Sequence, residues 1–288
     1  MENSVYALDL PPVRSSRAVF SSPHSGSDYP AAFLDASLLT PLQIRSSEDA
    51  FVDELFAAAP AAGAPLLAAT VPRACIDLNR APDDLDPALI AGATRRFVNA
   101  RIAAGLGVIP RVVGEGRPIR QGKLTLAEAQ QRIDHAWHPY HARLRALLEE
   151  ARGLFGAAIL FDCHSMPHDA LAAAPAVGGR QPEVILGDRF GAACERWLVD
   201  AASEAFAAAG FAVARNAPFA GGYITQTYGR PQRGVQALQI EIDRSLYMDE
   251  ARVERLPEFA EVVARIGRVV ARLAALGPGR VPLPVAAE

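Results

Sequence analysis

A three-layer α/β sandwich, with a mostly parallel or mixed central sheet and helices on both faces, is the fold this sequence predicts. Two observations carry that expectation. Short apolar runs of strand length alternate with longer stretches of helical periodicity along the chain. Half of the 288 residues are apolar (50%), enough to fill the core that such a sandwich encloses. No internal repeat, low-complexity tract or linker interrupts the pattern, so residues 1–288 are expected to form one domain.

The first strand is predicted at Ala18–Ser21, where an apolar run breaks at Pro23-His24-Ser25-Gly26 into small and polar residues. A helix is predicted from Ser46 or Ser47 to Ala59: Phe51, Val52, Leu55 and Phe56 fall on one side, and Ser46-Ser47-Glu48-Asp49 fits a capping box. Leu66–Val71 follows as a strand, and a helical pattern runs from Pro87 to Ala104. Thr125-Leu126-Ala127-Glu128 is a second capping box, opening a helical stretch to about Leu154 with a bend expected at Pro139. Strands at Ala157–Phe161, Glu183–Leu186, Phe211–Ala214 and Ala237–Ile242 alternate with helices at Arg189–Ala208 and Leu256–Leu276. Pro278-Gly279 and the tail after it read as a loosely packed end.

Composition narrows the function classes. A net charge of −3 and the lack of any basic run argue against nucleic acid and anionic membrane surfaces as partners, leaving a small soluble substrate. The first residues, MENSVYALDLPPVRSS, lack the cationic start and apolar core of a signal peptide, so a cytoplasmic location is expected. The uncharged stretch from Leu55 to Pro72 is interrupted by Pro60, Gly63 and Pro65, and reads as helix end, turn and strand instead of a membrane span. Cys75, Cys163 and Cys194 have neither the even count of a disulfide framework nor the spacing of a zinc knuckle. They read as reduced, buried small hydrophobes.

In an open α/β sheet, ligands gather beyond the carboxyl ends of the strands. The first predicted strand runs into His24. AAILF runs into Asp162-Cys163-His164-Ser165, where the alternation of side chains puts Asp162 and His164 on one face. ALQIEID carries Glu241 in an otherwise apolar run, where an acid needs a reason to be present. Two histidines and a carboxylate make a common zinc ligand set, with an open position and a further carboxylate to handle protons. On this reading His24 and His164 are ligands, Glu48 or Asp49 supplies the third, and Glu241 is the base. A salt bridge from Glu241 to Arg244 is the competing role.

Other arrangements fit less well. His135, His138 and His141 are three residues apart and fan around a helix instead of converging, so at most His141 is expected to pack near the site. There is no G-x-S-x-G elbow, and Ser165 and Cys163 each point to the opposite face from His164. Gly221-Gly222 and Gly105-Leu106-Gly107 match no phosphate-binding fingerprint. Arg73 and Arg80, in RACIDLNR directly after a strand, are candidates to hold substrate carboxylates, with Asp77 and Asn79 fixing the loop.

Taken in order, Pro23-His24-Ser25-Gly26, Glu48-Asp49, Ile76-Asp77-Leu78-Asn79-Arg80, His138-Pro139-Tyr140-His141, Asp162-Cys163-His164-Ser165, Gly221-Gly222-Tyr223-Ile224-Thr225, Gln239-Ile240-Glu241-Ile242 and Tyr247-Met248-Asp249-Glu250 resemble the N-formylglutamate amidohydrolase family. The resemblance runs from about residue 18 to residue 250. It implies a zinc-peptidase-type, phosphorylase/hydrolase-like fold and a zinc-dependent amidohydrolase releasing formate and glutamate in histidine breakdown. By position it implies that His24, Asp49 and His164 hold one zinc ion, with Asp49 preferred to Glu48, and that Glu241 is the catalytic acid/base. Asn79, Gly222 and Thr225 join Arg73 and Arg80 as expected substrate-binding positions, and Asp162 and His141 as residues that support the site from behind. The expected partner is a small acidic N-acyl amino acid. A zinc peptidase or cell-wall amidase, and a non-catalytic ligand-binding protein on the same fold, are the alternative classes.

Overall fold

The computed structural model describes residues 4–94, 99–172 and 174–277. In chain order its elements are β1 (Tyr6–Asp9), β2 (Ala18–Ser22), α1 (Ala31–Asp35), α2 (Val52–Leu55), β3 (Leu66–Ala69), β4 (Ile90–Ala91), α3 (Ala100–Ala103), β5 (Leu124–Thr125), α4 (Leu126–Arg132), α5 (His138–Phe155), β6 (Ala158–Met166), β7 (Val184–Gly187), α6 (Arg196–Ala208), β8 (Val213–Arg215), α7 (Tyr223–Tyr228), β9 (Val235–Asp243), β10 (Met248–Asp249), β11 (Glu254–Arg255) and α8 (Phe259–Ala274). Seven strands form one mixed sheet in the order β1-β3-β2-β6-β9-β7-β8. The central four, β3, β2, β6 and β9, are mutually parallel, whereas β1 and β7 run antiparallel to their neighbours β3 and β9.

Side-chain alternation divides the core into two layers. Phe20, Phe161, Leu238 and Ile240 pack beneath α2, α6 and α8. Val19, Leu160 and Ala237 pack beneath α4, α5 and α7. The helices α6 and α8 bury Leu198, Ala202 and Phe206, and Val262, Ile266, Val269 and Leu273, at the spacing of one helix face. On the α5 side, apolar residues give way to Asp162 and His164 in β6, and to Gln239 and Glu241 in β9. Because β6 and β9 pair Asp162 with Gln239 and His164 with Glu241, these four side chains share one face at the carboxyl edge. From β2 the chain goes outwards to β3, and from β6 it goes the other way, so a topological switch point opens between β2 and β6.

Several predicted elements take another form. The first capping box does not form: Gln43–Ser47 is a 3₁₀ turn in which Ser46 Oγ donates to the Gln43 carbonyl at 2.8 Å, and regular helix is confined to α2. Of the helix predicted over Pro87–Ala104, only α3 is helical among the described residues. Ile90–Ala91 instead pairs with Leu124–Thr125, and residues 95–98 lie outside the described residues. The helix predicted from Arg189 starts at Arg196, since Arg189 and Phe190 take left-handed conformations. Thr125 does form its capping box with Glu128. The stretch after it passes through a π-helical turn, Ile133–Trp137, just before Pro139, whose missing N–H interrupts the hydrogen-bond ladder at the start of α5. The predicted loose end at Pro278-Gly279 lies outside the described residues. No helix among the described residues is long and apolar enough to cross a membrane.

Candidate active site

Beyond β2 the chain turns through Pro23 and places His24 over the switch point, with 2% of its surface exposed. Gly26 secures the turn through close backbone packing. Its backbone lies so close to Thr70 and Val71 that a Cβ would overlap their carbonyl oxygens. Asp49 is brought in when its N–H donates to the His24 carbonyl at 3.0 Å. Its side chain therefore serves the site and is lost to the predicted helix cap. Glu48 turns away, accepting from Tyr29 Oη at 2.7 Å and from Arg45 Nε at 3.0 Å.

The three side chains converge. Asp49 Oδ2 lies 2.9 Å from His164 Nδ1 and 3.3 Å from His24 Nδ1, and the ligand atoms of the three residues fall within 4.8 Å of one another. The opposite nitrogen of each ring meets a buried carboxylate. His24 Nε2 donates to Asp77 Oδ1 at 2.7 Å, while His164 Nε2 lies 3.1 Å from Asp162 Oδ2 and 3.0 Å from Asn79 Nδ2. Each imidazole is thereby held with Nδ1 towards the common centre, as metal-binding histidines are oriented by carboxylates behind them. Asp49 is itself fixed by Arg244, whose Nη2 donates to Oδ1 at 2.9 Å while its Nε donates to Ser165 Oγ at 3.1 Å.

The electrostatics of this cage favour a cation. Burial alone would keep His164 neutral, yet Asp162 and Asp49 raise it well above the usual histidine range. Burial likewise opposes charge on Asp49 and Asp77, but the two histidines overcome it at Asp49, and His24 with Arg80 and Arg73 at Asp77, so both stay well below the usual carboxylate range. A divalent ion satisfies the same demand for positive charge with the rings neutral, and two nitrogens with one carboxylate oxygen suit zinc.

Glu241 stands beside His164 on the neighbouring strand and lines the same cavity, of about 590 Å³. Burial, the largest influence, pushes its carboxyl up to about 8 against the pull of His164. Gln239 Nε2 donates to its Oε1 at 2.8 Å. Arg244, the alternative partner considered from the sequence, is engaged by Asp49 and Ser165 instead.

Arg73, Asn79, Arg80 and Gly222 also line the cavity. Arg73 Nε donates to Asp77 Oδ2 at 3.1 Å. Asn79 bridges two elements: its Nδ2 donates to Asp162 Oδ2 at 3.2 Å and its Oδ1 accepts from the Ile224 N–H at 2.7 Å. Gly222 allows this approach, since a Cβ there would sit 2.6 Å from the Asn79 amide. Thr225, expected at the substrate, lies elsewhere: it is fully buried, off the cavity wall, and donates from Oγ1 to the Gly222 carbonyl. The short turn that opens α7 directs it inward. His141 is also away from the cavity, donating from Nε2 to the Leu78 carbonyl at 2.8 Å and accepting from Tyr228 Oη at Nδ1. It steadies the backbone just before Asn79, whereas His135 and His138 are exposed.

Three residues at the site escaped the sequence reading of their roles: Asp77 as the partner of His24, Arg244 as the anchor of Asp49, and Gln239 beside Glu241. Only Gln239 left a signal, as a polar residue two before Glu241 in an apolar strand.

Known proteins supply an independent comparison. A family model described as N-formylglutamate amidohydrolase matches residues 16–248. Two N-formylglutamate deformylases, from Pseudomonas putida and Pseudomonas aeruginosa, are each 34% identical over 239 residues, covering 81% of this chain and 82% of theirs. The crystal structure of N-formylglutamate amidohydrolase from Ralstonia eutropha JMP134 superposes with a TM-score of 0.87 at 39% identity, covering 94% of this chain and 97% of that one. With a matching architecture and a match over most of its length, the chain belongs to the N-formylglutamate amidohydrolase family.

Proposed function

We propose that this protein is a zinc-dependent amidohydrolase that removes a formyl or other small acyl group from an acidic amino acid. N-formyl-L-glutamate, cleaved to formate and L-glutamate as a cytoplasmic step of histidine breakdown, is the expected substrate. The observation that carries the reading is the buried convergence of His24, Asp49 and His164 at the switch point, with Glu241 on the same face one strand away. The deformylase relatives support the choice of substrate.

His24 Nδ1, His164 Nδ1 and Asp49 Oδ2 would hold the ion, which when bound supplies Lewis acidity and makes water a competent nucleophile near neutral pH. Asp77 keeps the His24 ring in the ligating tautomer, Asp162 and Asn79 hold the far side of the His164 ring, and Arg244 keeps Asp49 Oδ2 turned to the centre. Glu241 does the proton work. With Oε1 tied to Gln239, Oε2 takes a proton from the attacking water and returns it to the amine nitrogen as the C–N bond breaks. A carboxyl raised by burial is suited to both halves of that exchange, since it neither holds its proton too weakly nor too tightly.

Metal analysis of the purified protein, with turnover of N-formyl-L-glutamate by wild type and Glu241→Gln, tests this. The variant should fold and bind one zinc ion yet lose activity by roughly a hundredfold or more, the scale of general acid–base catalysis. A zinc-loaded Glu241→Gln protein with near-normal turnover would place the acid/base elsewhere. Wild type that binds no zinc and gains nothing from added zinc would end the metalloenzyme reading.

A further inference from the structure

Among the described residues, four guanidinium groups line the cavity: Arg73, Arg80, Arg101 and Arg244. Arg244 is spent on Asp49 and Ser165, and Arg73 gives its Nε to Asp77. Arg80 donates from Nε to the Leu106 carbonyl at 3.1 Å and from Nη1 to the Asn79 carbonyl at 2.8 Å, while its Nη2 lies 4.0 Å from Asp77. Arg101, on α3, is exposed, and among the described residues its guanidinium has no ion pair and no hydrogen-bond acceptor. Glu115, an acid on the same wall, pairs with Arg117 at 3.2 Å.

Arg80 and Arg101 are tied to each other through the backbone. Leu106 donates its N–H to the Arg101 carbonyl at 2.8 Å, and its own carbonyl accepts from Arg80. Val108 accepts from the Asp77 N–H at 2.8 Å, so the loop after α3 is pinned to the segment that carries Arg80. The Asn99 side chain caps α3 at the Ile102 N–H and donates to Asp84. Burial depresses Arg80; Asp77 offsets part of this, and the positive charges of Arg73 and Arg101 add to it. An anion between the guanidinium groups relieves that repulsion.

Building on the proposed activity, we infer that Arg101 recognises the side-chain carboxylate of the substrate while Arg80 takes the α-carboxylate, so that this site is specific for N-acyl dicarboxylic amino acids. The order follows from position. Arg80 adjoins Asn79, which reaches Asp162 behind the centre, and the α-carboxylate is the anion nearer the scissile carbon. Arg101 lines the same cavity and is exposed, which leaves it for the longer arm of the substrate.

The test compares kcat and KM for N-formyl-L-glutamate and N-formyl-L-glutamine, which match in shape and differ in charge, in wild type, Arg101→Gln and Arg101→Lys. Wild type should prefer the acidic substrate. In Arg101→Gln that preference should fall by about ten- to a hundredfold, chiefly through KM, as expected for one lost charge-assisted contact, and Arg101→Lys should restore part of it. Equal losses on both substrates would mark a structural role and overturn the inference, as would an unchanged preference. Calorimetric binding of L-glutamate and L-glutamine separates this inference from the activity on which it builds. If wild type hydrolyses neither formyl compound, the proposed activity fails. Arg101 is then supported only if Arg101→Gln loses affinity for glutamate selectively, and is overturned if it does not.

Discussion

His141 shows how one side chain can serve a site it does not touch. Stacked on Trp137 with ring centroids 3.9 Å apart, and bonded to the Leu78 carbonyl and Tyr228, it is held neutral, its pKa lowered to about 4 chiefly by burial. The sign of its effect on stability follows. Between the folded value and the unfolded value of about 6.5 the unfolded chain binds more protons, so stability is full above that range and is lost as pH falls through it. Urea unfolding of wild type should therefore show a loss on the order of a few kcal/mol on going from pH 7 towards pH 4 from this residue alone. His141→Gln should be weaker at pH 7, yet its stability should fall less steeply with acid. Parallel pH curves for the two proteins would show that His141 is not the source.

Among the elements, two local devices differ in reach. The Thr125 capping box holds the exposed start of α4, far in role from the cavity. Thr125→Ala should lower the melting temperature by roughly 2–4 °C, the usual scale of a lost cap, with catalytic constants unaltered. Gly26 is different, because a Cβ there meets backbone and cannot be accommodated by a side-chain rotation. Gly26→Ala must displace the turn that carries His24, so it should weaken zinc binding at least tenfold along with stability. Zinc titration with a competing chelator reads the first effect and thermal melting the second. A Gly26→Ala protein that keeps wild-type zinc affinity would mean that the turn can move without His24.

Across the whole molecule, the buried carboxyl groups of Asp49, Asp77, Asp162 and Glu241 crowd one edge of the sheet, with Arg73 and Arg244 as cationic partners. Like charges held this close in a buried site need positive charge between them, and a bound cation supplies it. Zinc at a hundred times its dissociation constant stabilises the folded state by about 2.7 kcal/mol, which corresponds to roughly 4–5 °C in melting temperature for a chain of this size. Chelation should lower the melting temperature by that amount and added zinc restore it, while His164→Asn should respond to neither. Identical melting of chelated and zinc-saturated wild type would count against a metal in this cage.

What the sequence by itself determined was whatever local pattern controls. The apolar runs that become β2, β6 and β9, the Thr125 cap, and the placement of His24, His164 and Glu241 at or near strand ends all follow from period-two alternation and its interruptions within a few residues. Only the tertiary structure decided the rest. The antiparallel setting of β7, the turning of Glu48 to Tyr29, and the failure of the Ser46 cap depend on partners distant in sequence. Arg244 and Asp49, 195 positions apart, meet only because β9 and the loop after β2 end on the same edge. A capping box costs little to give up, about 1 kcal/mol, whereas a buried carboxylate without its counter-charges costs several, so the long-range contacts overrode the local signal at Asp49.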